Sequence, residues 1–428
     1  VNGGGTYYEF RTRCTFIDGN NLYVTGMSND GSGNYFHSIY RLNRTTGAVQ
    51  ESGVYFNYIY LAKTSCLYKP SSTTYVLNSY HSLAKSAASQ WFSVINGSSL
   101  TTAGTGAYVG LADIPSAALE GYSQIVTDDK YIYLHSPGYR SVIQFSFNEA
   151  TKQVTKGKSI SLDNSGTFQA GGTESRIALD SQGYVYLITG YPALNITKID
   201  FSTTNPTIVW NKQITITGNA NTVTRMPWVQ GDIDEYDNLY IVCTETSSMS
   251  GTVEPAGTGT FRAILKINGI TTNNPYISAA KKLTGTNSPN GTFSTRGAGL
   301  SVTSYVGEIS ATGRNKILLN TQVDPPNGAL YSNTGKYGVT EFKIDSTTYT
   351  LSIDGLPYNT AANVANTFTT SVTCGPFSTA VFTLSESPVS ATYNNTVSII
   401  SLGTTSFVPK IPNTLTPDSF SSQKISKV

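Results

Sequence analysis

One pattern constrains this chain more than any other. A short strand with apolar residues at alternating positions, ending in a polar turn, returns seven times along 428 residues. It reads Ile39-Tyr40-Arg41-Leu42-Asn43, then Phe92 to Asn96, Ile143 to Asn148, Ile196 to Asp200, Ile264 to Asn268, Val339 to Asp345 and Val397 to Gly403. The turn positions 43, 96, 148, 200, 268, 345 and 403 lie 53, 52, 52, 68, 77 and 58 residues apart. A strand-only unit of that size cannot bury its apolar face alone, and stacking such units in a ring is the solution a propeller adopts.

Each unit also carries an earlier hairpin. Phe16-Ile17-Asp18-Gly19-Asn20-Asn21-Leu22-Tyr23-Val24 is the clearest, repeated at Val126 to Leu134, Ala178 to Leu187 and Ile233 to Ile241. Asp, Gly and Asn supply the turn conformations, and the flanking period-two alternation supplies the strands. A last strand follows, as at Ala48 to Phe56, Val154 to Leu162, Thr207 to Ile214 or Tyr349 to Ile353. The expected fold class is therefore all-β: a seven-bladed β-propeller of four-stranded antiparallel blades over 11–409, with units near 11–56, 57–118, 119–169, 170–220, 221–289, 290–366 and 367–409. The sixth and seventh hairpins (Ile309 to Leu318, Phe377 to Leu384) carry the weakest signals. Residues 1–10 form a lead in which Thr6 to Phe10 is placed to close the ring; alternatively, Ser406 to Pro409 completes the last blade. Residues 410–428, with Pro412, Pro417 and three Lys, read as an extended arm. Tyr23, Tyr133, Tyr186 and Tyr240 alternate with apolar neighbours, so they belong to blade packing, each hydroxyl reaching an edge.

On these hairpins, and on strands that end like Leu42-Asn43-Arg44-Thr45-Thr46-Gly47, the chain resembles the broad family of quinoprotein-like, WD-like and NHL-like β-propellers over residues 11 to 409. The resemblance implies architecture. A quinoprotein repeat would place Trp after the Thr-Gly turn; here Val49 stands there, with Trp210 the nearest to a match, and the Gly-His and Trp-Asp pairs of WD repeats are absent. No quinone cofactor is implied.

Composition bears on function. Charged residues make up 13% of the chain, against about 25% in an ordinary globular protein, while Ser and Thr number 107 and Tyr 28. Neutral hydrogen-bonding side chains suit contact with glycans or neighbouring subunits on a virion or outside a cell. A net charge of +2 without a Lys/Arg cluster gives no electrostatic case for nucleic acid. The apolar runs fall short of the roughly 18 residues a membrane-spanning helix needs. Cys14, Cys66, Cys243 and Cys374 lack any Cys-x-x-Cys spacing, which removes zinc and thioredoxin-like readings. Cys14 and Cys374 are expected on inner strands adjacent through ring closure, where a disulfide and buried free thiols are both open.

Propeller sites sit at the mouth of the central channel, lined by inner strands and the loops leading into them. The ligand-binding candidates there are Arg11, Arg13, Tyr58, Tyr60, Tyr122, Arg176, Arg225, Trp228 and Arg296. Converging Arg side chains would hold a carboxylate or phosphate bidentately; the alternative is that each pairs structurally between blades. If the chain is a glycoside hydrolase or lyase, Glu174 and Asp232 are its acid/base candidates. Ser161 to Phe168 looks like a sialidase Asp-box with one residue too many between Asp and Gly, and an ordinary Asx turn accounts for it. Three unpaired His leave no His-rich metal site. Asp232-Ile233-Asp234-Glu235 and Asn29 to Asn34 are calcium candidates without the full loop pattern, so no metal or cofactor is expected. The expectation is a non-enzymatic structural or receptor/glycan-recognition propeller of a virion (a phage tail or fibre component) or of a cell surface. Its expected partners are other virion or surface proteins, reached through 410–428, and a glycan receptor. The alternative is a secreted carbohydrate-active enzyme.

Overall fold

The computed structural model describes residues 9–29, 35–43, 49–56, 61–70, 73–82, 89–100, 107–109, 124–136, 141–151, 153–163, 175–189, 194–216, 230–234, 236–244, 262–285, 309–313, 316–323, 336–344, 351–353, 372–377, 379–394 and 398–399. They form a propeller-like arrangement of six antiparallel sheets, each begun as a four-stranded meander. Blade 1 holds β1 (Glu9–Asp18), β2 (Asn21–Asn29), β3 (Tyr35–Asn43) and β4 (Val49–Phe56). Blade 2 holds β5 (Leu61–Tyr68), β6 (Tyr75–Ser82), β7 (Ser89–Asn96) and β8 (Ala107–Val109). Blade 3 holds β9 (Gln124–Thr127), β10 (Ile132–Ser136), β11 (Ser141–Asn148) and β12 (Gln153–Asp163). Blade 4 holds β13 (Ser175–Leu179), β14 (Val185–Thr189), β15 (Leu194–Asp200) and β16 (Thr207–Ile216). Blade 5 holds β17 (Gln230–Ile233), β18 (Leu239–Thr244), β19 (Arg262–Asn268) and β20 (Tyr276–Gly285). Blade 6 holds β21 (Ile309–Gly313), β22 (Lys316–Val323), β23 (Lys336–Ile344) and β24 (Leu351–Ile353).

The hairpins fold back for the reason their sequences give. In blade 4, Asp180 Oδ1 accepts the backbone N–H groups of Gln182 (3.0 Å) and Tyr184 (2.9 Å), so a side chain closes the turn. Asp234 does the same for Tyr236 and Asn238, and Asp128 for Lys130 and Tyr131. The second carboxylate oxygen takes the hydroxyl of the tyrosine that follows: Tyr133 on Asp128, Tyr186 on Asp180 and Tyr240 on Asp234. One aspartate thereby fixes both the turn and the first buried aromatic of the next strand.

The apolar core lies between blades. Tyr23 and Ile39 of blade 1 pack with Ile95 and Leu100 of blade 2. Tyr68 and Tyr75 of blade 2 meet Ile125, Phe145 and Phe147 of blade 3; Tyr133 and Val142 of blade 3 meet Ile177, Val185 and Phe201 of blade 4; and Ile188 and Trp210 of blade 4 meet Leu239, Ile241 and Leu265 of blade 5. Burying each such side chain stabilises by about 1.5–3 kcal/mol, and because the partner is always the neighbouring blade, that stabilisation exists only in the stack. The inner strands β1, β5, β9, β13, β17 and β21 follow one another, and β21 returns to β1. Glu9 and Phe10, assigned to the lead, belong to β1 and pair with Asn29 and Ser28 of the same blade. Thr6 to Tyr8, Ser406 to Pro409 and the arm 410–428 lie outside the described residues.

The expected seventh blade is corrected. Its described residues form four short strands that attach to other sheets: β25 (Val372–Phe377) on β20, β26 (Phe382–Glu386) on β16, and β27 (Ser390–Asn394) with β28 (Ser398–Ile399) on β12. The physical reason lies in the supposed hairpin Phe377 to Leu384, which has no Asp, Asn or Gly between its apolar halves. A single 3-10 turn at Thr379–Val381 carries the chain onward to the next blade instead of back on itself. Of the seventh copy of the repeat, Val397 to Gly403, Ser398 and Ile399 are described, and they pair with β12. The cysteine expectation changes with it: Cys14 sits on the inner strand β1, but Cys374 sits on β25 at the outer edge of blade 5, with blade 6 between.

Candidate functional site

In a four-stranded meander the first and third turns share one end of the blade. The second connection and the passage to the next blade share the other, called here the entry end. Glu174, Tyr58, Tyr60, Tyr122, Arg225, Trp228 and Arg296 all belong to passages from an outer strand to the next inner strand, and all seven lie outside the described residues. Arg11 and Arg13 lie on the inner strand β1. Arg176 and Asp232 lie on the adjacent inner strands β13 and β17.

Arg176 and Asp232 do not converge. Arg176 stands opposite Ile188, which packs against blade 5, so its side chain enters the interface between blades 4 and 5, where it is 6% exposed. Gly231 of β17 approaches that interface closely: a Cβ there would lie 2.5 Å from Ile188 Cδ1. Side chains alternate along a strand, so Asp232, paired with Tyr240, faces the other way, toward blade 6. Asp232 Oδ1 accepts the Ile233 N–H at 2.9 Å. The calcium candidate at 232–235 is in similar use, since Asp234 spends both oxygens on its turn, on Asn238 Nδ2 and on the Tyr240 hydroxyl. Of the other calcium candidate, Asn29 ends β2 and 30–34 lie outside the described residues. The Asp-box-like stretch begins as plain strand, Ser161 to Asp163 pairing with Thr392 to Ser390.

Three polar side chains that sequence reasoning did not single out lie toward the entry end on the facing sides of blades 3 and 4. His135 is wholly buried on the face that also carries Val142 and Ile160, its Nδ1 2.9 Å from the Ser141 carbonyl. Across from it, Thr189 and Asn195 pair on the face of blade 4 directed at blade 3, 5% and 7% exposed. Asn195 heads an Asn-x-Thr triplet, and its burial takes it out of reach of modification in this fold.

At the turn end the chemistry repeats from blade to blade. Cations on one blade donate to the carbonyls of the next blade's turn between third and fourth strands. Arg41 Nη1 reaches Gly97 O (3.1 Å) and Ser98 O, Lys158 Nζ reaches Phe201 O (2.9 Å) and Thr203 O (2.6 Å), and Lys198 Nζ reaches Ile270 O (3.1 Å) and Thr271 O (3.2 Å). The tyrosines join them, Tyr23 on Gly97 O at 3.1 Å and Tyr186 on Ile270 O at 2.8 Å. Burial raises the pKa of the Tyr186 hydroxyl, the Asp180 carboxylate adding to the effect, and burial likewise raises that of Tyr133. Burial lowers the pKa of Lys198, with Asp180 opposing. These shifts mark groups withdrawn from water, Tyr186 and Lys198 to clamp carbonyls and Tyr133 to bond the Asp128 carboxylate, and nothing in them requires a substrate.

No protein-family model matches the sequence, and no curated protein sequence matches it. Among solved structures the chain is similar to a puromycin-hydrolyzing peptidase of Mycobacterium tuberculosis, with a TM-score of 0.35 and 9% identity. The alignment covers 82% of this chain and 54% of that one, so this chain spans about half the peptidase's length.

Proposed function

We propose that this chain is a non-enzymatic structural and receptor- or glycan-recognition propeller, carried on a virion as a phage tail or fibre component or on a cell surface. One observation carries the reading. Among the described residues, the exposed large apolar side chains are Val209 and three tyrosines, Tyr236, Tyr276 and Tyr393, each more than half exposed. An exposed tyrosine offers an apolar ring to a sugar face and a hydroxyl to its edge. The low charge of the chain supports the same reading, since Arg41, Lys158 and Lys198 are already committed to inter-blade carbonyls. The Asp-turn-Tyr hairpin further supports a place near the quinoprotein-, WD- and NHL-like repeats.

Two measurements test the proposal. The purified chain, applied to an array of neutral and anionic glycans, is expected to bind without releasing new reducing ends; cleavage would overturn the non-enzymatic reading. An antibody to the chain is expected to detect it in purified particles or the surface fraction. Recovery from the cytosol alone would overturn the location.

A further inference from the structure

The four short strands between residues 372 and 399 form a strap that walks around the outside of the ring against chain order, from blade 5 to blade 4 to blade 3. Each segment runs antiparallel to an outer strand: Val372–Phe377 from Gly285 to Ala280, Phe382–Glu386 from Ile216 to Lys212, and Ser390–Asn394 from Asp163 to Ser159, with Ser398 and Ile399 opposite Lys156 and Thr155. Main-chain hydrogen bonding is therefore the dominant recognition, the mode of an added β-strand. Between 382 and 393 side chains add to it at a few positions. Thr383, Ser385, Glu386, Ser390, Thr392 and Tyr393 face solvent, Phe382 is the one strap residue buried among those described, and Leu384, Val389 and Ala391 are partly buried. At blade 4 polar anchors join the ladder: Asn211 Nδ2 donates to Ser387 O at 2.9 Å and Ser387 N to Asn211 O at 3.1 Å, with Lys212 on Glu386.

The strap lies outside the closure of the ring. Each blade has its own four strands, and the inner strands close through β21 and β1, neither of which touches residues 372–399 in the sheet ladders. What the strap does is cover three outer edges that would otherwise present unpaired N–H and C=O groups. A backbone ladder reads conformation and register, so it accepts the same strand from another chain as readily as from its own, which is the condition for exchange of an identical element between copies. Pro376 within β25 and Pro388 just after β26 remove ladder donors from the strap, so a docked strap discourages a further strand and exchange ends at a closed pair.

We propose that the outer edges of β12, β16 and β20 form a strand-acceptor site whose partner is a second copy of this chain, each copy laying its 372–399 strap on the other. The proposal stands apart from the surface-recognition reading above, since its test never touches a glycan.

Thr215 and Thr383 face each other in register across β16 and β26, Thr383 being exposed, and they give a direct test. The double variant T215C/T383C is the control; under mild oxidation it is expected to form a disulfide within one chain, and failure to do so would remove the acceptor edge itself. The decisive arm mixes the single variants T215C and T383C at high concentration, warms them to just below the unfolding transition, cools and oxidises. The expected result is a covalent heterodimer that reductant dissolves, with a digest peptide joining the two introduced thiols. Folded single variants that stay monomeric through this cycle, while the double variant closes, would overturn exchange.

Discussion

Lys198 and Asp180 face each other at 3.7 Å, Nζ to Oδ2, with side chains 2% and 0% exposed. The pair is not isolated, because the Tyr186 hydroxyl lies 2.8 Å from both Asp180 Oδ2 and the Ile270 carbonyl, two acceptors for one proton, and Lys198 supplies further donors to Ile270 and Thr271. The cluster thus links the turn of blade 4 to that of blade 5. Asp180→Asn leaves a buried ammonium with carbonyl dipoles and the Tyr184 ring, 4.0 Å from Nζ, but without its nearest carboxylate, so we expect it to cost about 3–5 kcal/mol. Lys198→Met leaves Asp180 still bonded to two turn amides and a hydroxyl, and is expected to cost less. The double variant should be destabilised by less than the sum of the singles in urea melts. Additive losses would mean that the two groups do not interact.

Alkaline pH attacks the same device. Tyr23, Tyr68, Tyr133 and Tyr186 all have pKa values raised from the usual 10.0, chiefly by burial, Tyr68 to about 12. A raised folded-state pKa means that the native chain holds its proton where the unfolded chain has lost it, so the stabilisation is complete below pH 10 and declines as pH rises toward 12 and beyond. Lys198, its pKa lowered by burial, acts with the opposite sign, but it is one group against four. Stability from urea melts is expected to be flat between pH 8 and 9.5 and to fall above about pH 10.5, with late-ionising tyrosines seen by ultraviolet absorbance as the fold is lost. A stability that climbs through pH 11 would contradict the assignment.

Gly231 is expected to be intolerant for a reason that lies in the next blade. Its added Cβ would sit 2.5 Å from Ile188 Cδ1 and 3.1 Å from the Tyr240 carbonyl. Gly231→Ala should therefore destabilise by about 1–3 kcal/mol through overpacking. Ile188→Val removes the clashing methyl, so G231A in an I188V background should cost clearly less than in the native chain. Equal costs in both backgrounds would place the strain elsewhere.

Much of this architecture can be read from local sequence, and the reason is physical. The hairpin around Asp180 and Tyr186 is legible because turn, carboxylate and aromatic lie within seven residues, and the same holds at Asp128 and Asp234. The inner strands β9, β13 and β17 follow from those hairpins. The strap does not, because Thr383 meets Thr215 through a backbone ladder that leaves no side-chain signature, and a strand on an outer edge has the same alternation as a strand within a blade. Missing turn residues between Phe377 and Phe382 were the available clue. Arg176 was read toward the channel because it opens an inner strand, but its phase against Ile177 and opposite Ile188 turns it into the blade 4–5 interface. The facing positions of His135, Thr189 and Asn195 had no sequence signal at all, since they arise only when two blades meet.

Asp237 shows how a strained residue is retained. It holds φ at 57° and Asp129 at 65°, at turn positions where blades 1 and 4 use Gly19 and Gly183. Both aspartates reach back to the preceding blade, Asp129 Oδ1 accepting Lys69 N at 3.2 Å and Asp237 accepting Ser181 N at 2.7 Å and Ser181 Oγ at 2.6 Å. A left-handed conformation costs a non-glycine residue roughly 1–2 kcal/mol, and hydrogen bonds to a carboxylate return about as much. Asp237→Ala keeps the strain and loses the bonds, so it should destabilise by about 1–3 kcal/mol. Asp237→Gly loses the bonds but also the strain, and should fall within about 1 kcal/mol of the native chain. Asp237→Asn tolerates the conformation and keeps one acceptor oxygen, so it belongs between the native chain and Asp237→Ala in thermal melts. If Asp237→Gly proved as damaging as Asp237→Ala, the bonds to Ser181 would outweigh the backbone strain, and the interchange of Asp and Gly at this turn would need another cause.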